Sequence, residues 1–200
     1  ESYRGRRSVA APREWRSFYA NLARSNNPEA RQHAVELAVA FGDPATLAEL
    51  QDVLLKRVRA GGDERRRALA LLSSRRDPEF GRSLVPLLRD EVVRADVIRS
   101  LAAFDLPEVP SRLLALYPSL SDAEQQDVLQ TLSARRTSAQ ALVDAVAGGA
   151  IPRQDVSALL VRQLQALGDR AINERLASVW GQIRPASQAK QERMGNLKPQ

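Results

Sequence analysis

The apolar positions of this chain fall at helical spacing and, in four places, in the same order. The segments AVELAVAFGDP (34–44), ALALLSSRRDP (68–78), VIRSLAAFDLP (97–107) and VLQTLSARRTS (128–138) align on their last residues. Ten positions before those ends stand Ala34, Ala68, Val97 and Val128, and nine before stand Val35, Leu69, Ile98 and Leu129. Six before stand Ala38, Leu72, Leu101 and Leu132. Offsets of one, three and four place these side chains on one helical stripe. The aligned ends are 34, 29 and 31 residues apart, which is room for two helices and two short turns. Such a unit covers its apolar face only by stacking on its neighbours. No segment alternates with period two, so no strands are expected.

The polar punctuation agrees. Asn27-Pro28, Asp43-Pro44 and Asp77-Pro78 each set a capping side chain before Pro at a first helical position. Ser121 with Glu124 three residues on has the capping-box pattern. Gly61-Gly62 and Gly148-Gly149 read as turn pairs, and neither belongs to a phosphate-cradling pattern. The spacing predicts helices near 11–25, 28–41, 44–60, 63–74, 78–89, 91–104, 108–117, 122–135, 138–147, 152–167 and 170–183, with a further helix near 187–195.

Arg31, Arg65 and Arg94 recur thirteen residues before the aligned ends, with Gln125 at the fourth place. With NPEARQHAVELAVAF (27–41) and DEVVRADVIRSLAAF (90–104), they resemble the second helix of HEAT repeats. The resemblance implies an all-α, right-handed α-solenoid of about five HEAT-like helix pairs with a C-terminal capping helix. It would occupy residues 11–184, between a tail at 1–10 and a linker at 185–200. The stretch 151–199, with Leu-x-Arg-Gln-Leu at 160–164, Leu167-Gly168-Asp169 and Trp180-Gly181-Gln182-Ile183-Arg184, is similar to a segment of large secreted proteins of Planctomycetes and related bacteria. In those proteins HEAT-like repeats join a dehydrogenase-like β-propeller to a c-type cytochrome domain carrying Cys-x-x-Cys-His. The resemblance implies an inter-domain spacer whose parent protein binds haem c and is periplasmic or secreted. The chain itself contains neither a propeller nor a Cys-x-x-Cys-His. It opens on Glu1 with no charged n-region or apolar h-region, and so reads as an excised segment or processed product.

Composition narrows the chemistry. Nine aromatics in 200 residues leave a core to be built from Leu, Ala and Val, which suits packed helices. With no Cys, the chain offers no disulfide, thiol nucleophile, zinc-thiolate site or covalent haem attachment. No apolar run approaches the ~18 residues of a membrane span. The net charge of +6 is uneven, since residues 1–100 carry 19 basic against 14 acidic side chains and residues 101–200 carry 11 against 10. Only three of the 30 basic residues are Lys, and six cations crowd positions 56–67. Arg is the residue suited to planar, bidentate recognition of carboxylate or phosphate.

Each candidate has a structural reading beside the chemical one. His33 is the only histidine, too few for a zinc site, a Ser-His-Asp triad or a His-Glu-x-x-His motif. Met194, the only methionine, is a conceivable haem ligand but lies in a polar segment. Asp43 and Asp77 occupy one repeat position, and capping explains both without a substrate. Arg31, Arg65 and Arg94 form either a ladder for an acidic or phosphate-bearing partner or a brace between repeats. Trp180 is either a cap over the last repeat or a partner-binding anchor.

No catalytic, cofactor-binding or metal residue is assigned. The expected role is a non-enzymatic scaffold or spacer that binds flanking domains or another protein, with no membrane insertion. A nucleic-acid-binding domain using the basic face is the alternative, opposed by 24 interspersed acidic residues and few aromatics for base stacking. A hydrolase or lyase would have to work with carboxylates alone.

Overall fold

A computed structural model describes residues 11–181, and the described residues form helices and turns with no strand. They group into two compact units, residues 11–112 and 113–181. The first holds α1 (Trp15–Ala23), α2 (Pro28–Phe41), α3 (Pro44–Leu54), α4 (Gly62–Ser73), α5 (Pro78–Leu84) and α6 (Arg94–Leu101). The division falls within α7 (Val109–Leu116). The second holds α8 (Asp122–Ser133), α9 (Arg136–Ala147), α10 (Ala158–Ala166) and α11 (Arg170–Trp180).

Within each unit the helices pack in chain order. In the first, α1 meets α2, α2 meets α3, α3 meets α4, and the second helices of successive pairs stack α2 on α4 and α4 on α6. In the second, α8 meets α9, α8 meets α10, and α11 lies against both α9 and α10. Nearest-neighbour stacking of helix pairs is the order of a helical-repeat fold. The repeat stripe supplies its core: of the twelve aligned positions named above, eleven are buried and Val35 is half-buried. Trp15 adds an aromatic cluster beside α2, with the Phe41 ring edge-on at 4.7 Å and the Tyr19 ring at 5.5 Å.

The caps sit where the local sequence places them. Asn27 Oδ1 accepts from the Glu29 amide at 2.9 Å, Asp43 Oδ2 from Thr46 at 2.9 Å and Asp77 Oδ1 from Glu79 at 3.0 Å. Glu124 reaches back to the Ser121 amide at 3.1 Å, closing the capping box. Ser157 and Asp169 start α10 and α11 in the same way. At the other end of α2, Gly42 takes φ +74°, and its N–H returns to the last turn. Gly81 is there for space: a Cβ would lie 2.6 Å from the Phe104 ring.

Several helices are shorter than the spacing predicts, each for a backbone reason. α3 stops at Leu54 rather than near 60, because Lys56 turns into the left-handed region at φ +59°. The stretch 78–89 divides into α5 and a tight 3-10 turn, Val85–Arg89. Pro86 lies in that turn and has no N–H to give the carbonyl four residues back. Pro118 lies in the similar turn Tyr117–Ser119. The stretch 152–167 divides into the turn Arg153–Asp155 and α10. The helix expected near 187–195, Met194 and the two expected joins lie outside the described residues.

Candidate functional site

The recurring polar position has a job that the sequence alone left open. In the first pair, Arg31 Nη1 donates to the Ser25 carbonyl at 2.6 Å, just past the end of α1. In the second, Arg65 Nε donates to the carbonyl of Leu54, the last residue of α3, at 3.0 Å. In the fourth, Gln125 Nε2 donates to the Tyr117 carbonyl at 3.0 Å, just past α7. A side chain near the start of the second helix thus binds a carbonyl at or just past the end of the first. Where it is Arg, its charge also complements the negative helix terminus. Arg94 lies 3.7 Å from Glu91.

These residues do not share one environment. Arg31 is exposed, whereas the Arg65 side chain is only 2% exposed. Arg65 also reaches forward with Nη2 to Asp90 Oδ2 at 2.8 Å, joining the second helix pair to the loop before α6. Further arginines bind carbonyls of a neighbouring pair. Arg75 donates to Val39 at 2.6 Å and Arg66 to Val92 at 3.1 Å, and Arg136 of α9 makes the same kind of bond to Leu167, just past α10, at 3.1 Å. Carbonyls, more than carboxylates, are what these braces hold.

Around Arg65 the basic run becomes a cleft of about 400 Å³, lined by Lys56, Arg57, Val58, Arg59, Arg65 and Val92 among others. Asp90 lies beside it, with Lys56 Nζ at 2.9 Å and the Val92 amide at 3.2 Å in addition to Arg65. The Arg65 guanidinium, then Lys56 and the Val92 amide, outweigh burial and hold the Asp90 carboxyl at about 2, below its ordinary 3.8. Arg57 pairs with Asp52 at 3.1 Å, while Arg59 bonds no other described residue.

The remaining candidates lie apart from this cleft. Asp43 and Asp77 are occupied as caps. His33 is exposed and lies 3.2 Å from Glu36, whose carboxyl is held below its ordinary range by Gln32 first and His33 second. Trp180 is half-buried at the end of α11, whose buried residues are Ile172 and Leu176. The Arg153 guanidinium stands 5.8 Å from the Trp180 ring centre, and the two line a second cleft of about 540 Å³ with Pro152 and Gln154. Tyr117 donates to Asp155 Oδ2 at 2.9 Å, and burial followed by that carboxylate pushes its phenol well up. That residue was not singled out in the sequence, because its partner lies 38 positions away.

No cluster of three or more His, Cys, Asp or Glu that could hold a metal occurs among the described residues. No helix among them is long and apolar enough to cross a membrane. The haem c of the resemblance does not fit this chain's own residues, since there is no Cys for a thioether and its one His is bonded to Glu36 at the surface. Comparison with protein-family models, curated proteins and solved structures gives no match.

Proposed function

We propose that this chain is a non-catalytic scaffold of HEAT-like helix pairs that spaces and docks domains within a larger exported haem-containing redox protein. The observation that carries the reading is the use made of its polar residues. The recurring Arg31, Arg65 and Gln125 bond helix-end carbonyls, and Asp43 and Asp77 cap helices. Side chains at the positions that repeat therefore serve the stacking of helices, as a spacer requires. The association with a haem-bearing module rests on the resemblance of 151–199.

The nucleic-acid alternative draws on the basic run at 56–67. Four of its six cations face a carboxylate: Lys56 and Arg65 share Asp90, Arg57 meets Asp52 and Arg66 meets Asp63. Less charge is left to displace counterions from a duplex than the composition suggests.

The test is replacement. In the parent protein, residues 11–181 are exchanged for a flexible Gly/Ser linker of matched reach, and electron transfer between the flanking modules is timed. A spacer predicts slowed transfer with each module's own spectrum unchanged. Transfer at the native rate through the linker would defeat the reading. A salt-titrated duplex-binding measurement on the intact chain addresses the alternative, which requires affinity that falls steeply with salt.

A further inference from the structure

The cleft beside Arg65 has features that bracing does not use. Its rim carries two exposed aliphatic side chains, Val58 and Val92, each 47% exposed. Four cations line it, and two carboxylates, Asp90 and Asp52, answer three of them. Arg59 is left over, exposed and bonded to no other described residue. Lys56 is held at φ +59°, a backbone region that non-glycine residues seldom occupy and that tends to mark functional turns. At about 400 Å³ the space has room for one or two side chains.

We propose that this cleft docks a peptide segment of a partner protein in which an acidic side chain stands next to an aliphatic one. The carboxylate is received by Arg59 with Lys56 beside it, and the aliphatic group covers Val58 and Val92. Cationic surplus and exposed apolar surface at one rim call for both features in the same ligand. A phosphate backbone meets only the first. The inference rests on the docking role proposed above and names its partner chemistry.

The probe is a fluorescent peptide, Glu-Leu-Asp-Val-Glu, titrated with the full chain and followed by polarisation at low and moderate salt. Saturable binding that weakens with salt is expected, with about tenfold loss in Arg59→Glu, a smaller loss in Arg59→Ala and a clear loss in Val58→Ser. The peptide Glu-Ser-Asp-Ser-Glu should bind more weakly than its parent. Arg162→Glu, an equal charge change at an exposed residue of the other unit, should bind as the wild type does. Thermal melts of all four variants should match the wild type. The inference fails if the peptide does not bind, if Arg59→Glu binds it normally, if Arg162→Glu weakens it equally, or if a short DNA duplex binds more tightly. Any of these leaves the linker replacement free to report separately on the spacer role.

Discussion

A guanidinium that is 2% exposed and bonded to both a carbonyl and a carboxylate cannot become an apolar side chain without taking the donor from the Leu54 carbonyl and leaving Asp90 to Lys56 and the Val92 amide. Arg65→Met should therefore cost roughly 1–3 kcal/mol, the scale of a buried acceptor left without its donor. Urea unfolding of the variant would measure it. Arg65→Lys should fall between, since an ammonium lacks the planar fork that spans Leu54 and Asp90. Asp90 adds a pH signature. Its folded-state value of about 2 lies below the ordinary 3.8, so protons bind the unfolded chain more readily than the folded one. Its contribution is complete above the ordinary value and is lost as pH falls toward about 2. Asp90→Asn should be less stable at neutral pH and flatten the dependence of the urea midpoint over that acidic window. An unchanged acid limb would show that Asp90 is not the group responsible.

At the scale of elements, caps and close approaches set the costs. Asp43→Ala should lose about 1 kcal/mol. It should lose more than Asp77→Ala, because Asp43 accepts from both the amide and the hydroxyl of Thr46, at 2.9 Å each, whereas Asp77 holds one amide. Paired thermal melts would rank them. Gly81→Ala should cost roughly 1–3 kcal/mol, because its Cβ would land 2.6 Å from Phe104 and force the ring to move. If this variant melts with the wild type, α5 has room that the geometry denies it. The contrast between these two sites shows what is legible in a sequence. Asp43-Pro44 announces its helix within two residues, and so do Asn27-Pro28 and Asp77-Pro78. Gly81 gives no local sign, since the reason for it is a ring 23 positions away. The same distance hid Asp90 from Arg65 and Asp155 from Tyr117, 25 and 38 positions apart. The end of α3 was hidden differently, because a left-handed turn at Lys56 uses none of the residues that usually mark one.

For the molecule as a whole, the buried stripe and the arginine braces answer different parts of one problem. Stacked helices conceal their apolar faces easily, but carbonyls at helix ends also need donors, whether buried as at Leu54 or exposed as at Ser25. A chain with few lysines and many arginines has donors of the right reach and shape. The apolar stripe carries the larger share of cohesion, so it is where a single change should spread furthest. Leu72 and Leu132 occupy the same repeat position, one in each compact unit, and both are buried. Aspartate at either site would put an unpaired charge among apolar neighbours and should remove cooperative packing. Hydrogen exchange followed by mass spectrometry would locate the damage. Leu72→Asp should strip protection from α2, α4 and α6, which stack on one another, and Leu132→Asp from α8, α9 and α10. Loss confined to the mutated helix would mean that the helices hold their own structure, and that stacking is not what keeps this fold together.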